Sequence, residues 1–95
     1  MIVERRTWKV KQGCMQEAAA LCKSFAESAG STVRIYSDNV GPHDTLVVDM
    51  EFEGLAERGK FWPEWVAKPD SAAFMEKWRA VTERGGTCEI WNLVE

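Results

Sequence analysis

TLVVDMEFE, Thr45 to Glu53, is the stretch on which the fold turns. Leu46, Val48, Met50 and Phe52 alternate with Val47, Asp49, Glu51 and Glu53. A period of two marks a strand, whose successive side chains point to opposite faces. One face of this strand is apolar throughout, and the other turns acidic. The apolar face calls for a covering layer of helices.

The residues that follow supply that layer. GKFWPEWVAKPDSAAFMEKW, Gly59 to Trp78, holds three of the five tryptophans and two of the four phenylalanines. Leu55, Trp62, Trp65 and Val66 lie at helical spacing, and Phe61 stands four before Trp65. Gly59 and Pro63 weaken this helix, since an interior proline costs about 3 kcal/mol. A buried aromatic removes roughly 150–250 Å² from water, worth about 4–6 kcal/mol as an upper figure. Two buried aromatics therefore outweigh the proline, and the spacing predicts a kinked or two-piece helix. Pro63 also suits the first turn of a second piece. Pro69 stops the run, and Asp70 or Ser71 is placed to cap the next helix. Phe74, Met75, Trp78 and Val81 form that helix's apolar stripe, and Gly85-Gly86 ends it. TCEIWNLV, Thr87 to Val94, reads as a last strand.

On the N-terminal side, Ile2 to about Lys11 reads as a strand, closed by Gly13. From Cys14 to Ala29 the apolar positions Ala18, Leu21, Cys22, Phe25 and Ala29 make one helical stripe. Gly30 stands where a left-handed helix end is favoured. Thr32 to Tyr36 is a short β-branched strand, and SDNVGPHD after it is a loop. The order is read as β-α-β-β-α-β, a ferredoxin-like α+β arrangement with an antiparallel sheet ordered 4-1-3-2 and helices on one face. The whole chain, 1–95, is one domain. In strand one, Ile2, Glu4, Arg6, Trp8 and Val10 share one parity, and Val3, Arg5, Thr7 and Lys9 the other. Both sets mix charge with apolar groups, and a one-residue slip exchanges them, so both registers stay open.

Composition sets outer limits. A chain of 95 residues buries roughly 60–68% of its unfolded surface, enough for one modest core. It is 45% apolar and 28% charged with net charge −3, ordinary for a globular protein. No basic cluster exceeds Arg5–Arg6, which argues against a nucleic-acid partner. No stretch approaches the ~20 apolar residues of a membrane span, and the charged opening MIVERR lacks a signal peptide's apolar region. Cys14, Cys22 and Cys88 are odd in number, far apart, and form no zinc pattern. These readings predict a cytoplasmic protein with free thiols, no metal and no cofactor.

The N-terminal IVERRTWKVKQG resembles the opening of NIPSNAP-like proteins, where a strand of the form E-x-R-x-Y leads to a V-K-P-G turn. Glu4, Arg6 and Trp8 take the acid, arginine and aromatic places. Val10, Lys11 and Gly13 match the turn, with Gln12 in place of the proline. FEGLAERGKFWPEWVAKPDSAAFMEKW resembles the family's strand, L-A-x-R and aromatic-helix pattern. The resemblance spans nearly the whole chain and implies the dimeric α/β-barrel superfamily, in which two ferredoxin-like subunits pair their sheets. That superfamily includes cofactor-free monooxygenases, isomerases, haem-degrading enzymes and members without known activity. It therefore implies fold far more than function. The histidine used by the haem-degrading branch has no counterpart between Gly54 and Gly86.

Candidate chemistry is sparse. His43, the single histidine, lies in SDNVGPHD beside Asp44; a solvated loop residue is the simpler reading than a general base. Asp49, Glu51, Glu53 and Glu89 read first as an ion-pair network with Arg34 and Arg5 or Arg6, and second as a ligand-binding polar cluster that could include an acid–base pair. Cys14 stands near a helix N-terminus but without an evident partner that would make it reactive. The aromatic run reads first as core or interface. The resemblance also implies pockets between sheet and helices. The ligand-binding candidates are then Trp8, Tyr36, Trp62, Trp65 and Trp91, with Arg6 or Glu51 orienting an apolar or aromatic ligand. No catalytic residue is assigned. Three readings follow: a homodimer, joined through its open sheet face, that binds a small ligand; a cofactor-independent monooxygenase or isomerase using the same cavity; and a packed interaction module.

Overall fold

The computed structural model describes residues 1–95. The elements are β1 (Ile2–Lys9), α1 (Met15–Ala29), β2 (Val33–Ser37), β3 (Thr45–Phe52), α2 (Leu55–Val66), α3 (Ser71–Val81) and β4 (Thr87–Asn92). One four-stranded sheet has the order β2-β3-β1-β4, with every pairing antiparallel. This is the expected order read from its other edge. The second crossover holds two separate helices, so the element order is β-α-β-β-α-α-β rather than the six-element string.

The β3 alternation behaves as its chemistry requires. Leu46, Val48, Met50 and Phe52 are all buried beneath the helices. Register then settles strand one. Ile2, Glu4, Arg6 and Trp8 stand opposite Phe52, Met50, Val48 and Leu46. Directly paired residues in an antiparallel ladder share a face, so this parity lies on the helix side. Val3, Arg5, Thr7 and Lys9 join Asp49 and Glu51 on the open side. The core is the helix-side layer: Ile2, Val10, Ala18, Cys22, Leu46, Val48, Met50, Phe52, Trp78 and Val81.

Helix ends differ from their expectations in instructive ways. α1 stops at Gly30, whose φ of 72° is left-handed. α2 starts after an extended Gly54, and the Glu57 carboxylate accepts the Glu53 N–H at 2.6 Å. Pro63 does not divide this helix, which runs unbroken from Leu55 to Val66. Both Pro63 and Gly59, whose carbonyl loses its donor, lie exposed, where water can take that carbonyl. Phe61, Trp62 and Trp65 are half-buried on the same helix and anchor it. Neither Asp70 nor Ser71 caps α3 as expected, because Asp70 has helical backbone angles and makes no side-chain cap. The Ser71 hydroxyl instead donates to the carbonyls of Val66 and Lys68, tying α3 back to α2.

β4 is held to β1 alone, and all six of its residues are exposed. It leaves the turn at Gly86, with φ of 107°. A Cβ there would lie 2.5 Å from the Thr7 carbonyl oxygen, which no side chain tolerates. Gly86→Ala is therefore expected to destabilise the chain by about 2–3 kcal/mol, read as a lower urea midpoint. An unchanged midpoint would show that β4 enters the sheet differently. No helix is long and apolar enough to cross a membrane.

Candidate functional site

The helix side of the sheet is not filled completely. A cleft of about 100 Å³ opens between β1, β3 and the three helices, lined by Trp8, Phe25, Trp62, Trp65, Phe74 and Trp78 among others. Its floor is Val48, Met50 and Cys22, and Met75 joins the wall. The walls hold one another. Phe25 stacks on Trp62 with ring centres 6.0 Å apart, and meets Trp65 nearly edge-on at 5.7 Å. Trp65 stands perpendicular to Phe74 at 5.6 Å, and Trp8 meets Trp78 at 5.4 Å and 88°. Such edge-to-face pairs contribute about 0.5–1.5 kcal/mol each beyond burial. The aromatic run thus serves as core and as cavity wall together.

Two charged residues line this otherwise apolar cleft: Glu4 and Arg6. Glu4 is fully buried. Its Oε2 accepts from Arg6 Nε at 2.9 Å, and its Oε1 accepts from Trp62 Nε1 at 3.1 Å. Arg58, from α2, also pairs with Oε1. Arg6 sits over Trp62, with its guanidinium carbon 4.5 Å from the ring centre, a cation–π contact. Burial pushes the Glu4 carboxyl up, but the hydrogen bonds from Arg6, Arg58 and Trp62 outweigh it and hold the group below the usual carboxylate range. Glu4 is therefore an anion held by three donors, and a poor proton acceptor near neutral pH.

The seven candidate residues divide. Arg6, Trp8, Trp62 and Trp65 converge on the cleft. Tyr36, Glu51 and Trp91 do not: they stand opposite Val47, Val3 and Val3's row on the open face of the sheet. There Arg34 pairs with Glu51 at 2.9 Å, and Arg5 grips Asp49 through two bonds of 2.9 and 2.8 Å. The strand carboxylates Asp49 and Glu51 thus belong to an arginine ladder, the first of their two expected roles. His43 is exposed in its loop and lines no part of the cleft. Burial pushes the Cys22 thiol up to about 12, which makes it unreactive. Cys14 is half-buried and makes no side-chain cap on α1.

Glu4, Phe25, Phe74, Met75 and Trp78 are cleft residues absent from the sequence-based set. A signal for Glu4 was present. Its parity carries Ile2, Trp8 and Val10, whereas the other parity carries only Val3 among large apolar groups. That imbalance places Glu4 and Arg6 side by side on the covered face.

No family model matches the sequence, and no curated protein does. Solved structures do match in fold. A protein from Agrobacterium tumefaciens superposes with a TM-score of 0.87 at 21% identity, covering 99% of this chain and 94% of that one. A NIPSNAP family protein from the same species gives 0.86 at 18% identity, covering 99% and 93%. An antibiotic biosynthesis monooxygenase gives 0.73 at 14% identity, covering 100% of both chains. The chain therefore has the ferredoxin-like α+β fold seen in NIPSNAP proteins. These identities establish the fold and leave the activity to the site.

Proposed function

We propose that this chain is a homodimeric, NIPSNAP-like binding protein that holds a small apolar or aromatic molecule in the cleft between sheet and helices. The observation that carries the reading is the aromatic cleft itself, with the Glu4–Arg6 pair as its polar element. Its volume of about 100 Å³ is below the roughly 150 Å³ of an engineered apolar cavity that holds benzene, so it suits at most a single ring rather than a drug-sized ligand. The lowered pKa of Glu4, held by three donors, favours binding over acid–base turnover. Three free cysteines fit a reducing, cytoplasmic setting.

The dimer rests on what the sheet leaves uncovered. Tyr36, Ile90, Trp91 and Leu93 are between 40% and 53% exposed. All but Ile90 belong to the open side, which also carries Arg5, Arg34, Asp49, Glu51 and Glu89. A sheet of these dimensions offers a face of about 20 by 25 Å, from strand spacing and rise. Two copies would bury about 1,000 Å² between them, the lower bound for a specific interface. Charges of both signs on one face suit a self-complementary pairing.

The binding test uses toluene and naphthalene, followed through the indole N–H resonances of Trp8, Trp62, Trp65 and Trp78. Toluene should shift them saturably, and naphthalene should bind at least tenfold more weakly. Met75→Trp, which fills the cleft, should abolish the shift. Absence of any saturable shift, or equal binding of both probes, would defeat the reading.

A further inference from the structure

The polar element of the cleft has a direction. Glu4 is fully buried and three protein donors hold it, Arg58 and Trp62 at Oε1 and Arg6 at Oε2, so it is turned inward to the protein. Arg6 is the reverse case. Its Nε alone is engaged, and none of its remaining N–H groups meets a protein acceptor. The side chain is 31% exposed, so those donors reach open space. Trp62, in contact with the guanidinium, limits how the fork can turn. Arg58 adds a second guanidinium against the same carboxylate. Arg58 does not line the cleft itself, but with Arg6 it brings two positive groups to one negative group, a surplus of one positive charge around Glu4. A site that offers donors and positive charge beside an apolar wall does not select a neutral hydrocarbon.

Resting on the binding reading above, we infer that the ligand is an aromatic or compact apolar acid: a single ring, or its equivalent, bearing a carboxylate that docks on the free edge of Arg6. The ring lies among Phe25, Trp65, Phe74 and Trp78, and the carboxylate takes two parallel N–H donors from the guanidinium fork. Glu4 acts as a positioning residue. It holds Arg6 by one nitrogen and leaves the other two for the ligand.

Benzoate and toluene test this as a pair, since they share the ring and differ in the anionic group. The reporter is the Trp62 indole N–H, which donates to Glu4 and lies under Arg6. At neutral pH benzoate should bind the wild-type chain at least tenfold more tightly than toluene. Arg6→Gln should remove that preference while toluene binding persists, and Arg6→Lys, which keeps charge but loses the planar fork, should fall between. Toluene binding as well as or better than benzoate would overturn the acid inference and leave the cavity reading intact. So would a benzoate preference that survives in Arg6→Gln. Failure of both probes would overturn the cavity reading and this inference together. The wild-type ratio decides the matter even where a variant fails to fold.

Discussion

Glu4→Ala is expected to destabilise the chain by about 3 kcal/mol, a large fraction of the stability of a domain this size. The carboxylate is fully buried and accepts from Arg6, Arg58 and Trp62. Its loss strands two guanidiniums and an indole N–H beside an apolar cleft. The two arginine side chains are 31% and 30% exposed, so water recovers part of their solvation and keeps the figure at the low end for a broken buried pair. Urea unfolding would measure it as a lowered midpoint. The same site predicts a pH dependence. The folded carboxyl titrates below its unfolded range, so its stabilisation is complete above the unfolded pKa and disappears as pH falls through the folded one. The gap between wild type and Glu4→Gln should therefore be widest near neutrality and close in acid. A gap that stays constant with pH would mean that Glu4 stabilises by packing rather than by charge.

The second large effect belongs to the opposite face. Trp91→Glu should weaken self-association by at least 100-fold, the scale of a central aromatic hot spot. Trp91 is 53% exposed in the single chain, so its replacement removes little from the protomer's own core. Each protomer should keep its circular dichroism spectrum and its cleft while the dimer dissociates. A variant that remains dimeric at low micromolar concentration would exclude the open face as the contact.

The two effects divide along the line drawn by TLVVDMEFE. Its alternation was readable because all four residues on one side are apolar, and that fixed which side the helices cover. Ferredoxin-like order followed from the positions of strands and helices, and the observed sheet order agrees. Of the kinked or two-piece readings at Pro63, the two-piece one failed because the proline's cost was weighed without knowing that it faces solvent. The Asp70 cap failed for a related reason: tertiary ties from Ser71 to α2 satisfy that helix start by another route. The site was half legible. Aromatic residue types pointed to Trp8, Trp62 and Trp65, but side-chain type does not report which face of a sheet a residue occupies. Tyr36, Glu51 and Trp91 were grouped with them on type, and strand register separates them. Glu4 escaped because a lone carboxylate in a charged segment looks solvated until Arg58, 54 residues away, is brought to it.

What joins the two faces is the proposed dimer: this sheet has one side closed by its own helices and one side left open, which we propose a second copy covers. Light scattering on the purified chain at micromolar concentration tests that most directly. The account predicts a mass twice that of the chain. A stable, soluble species of single-chain mass, with Tyr36, Trp91 and Leu93 in water, would contradict it.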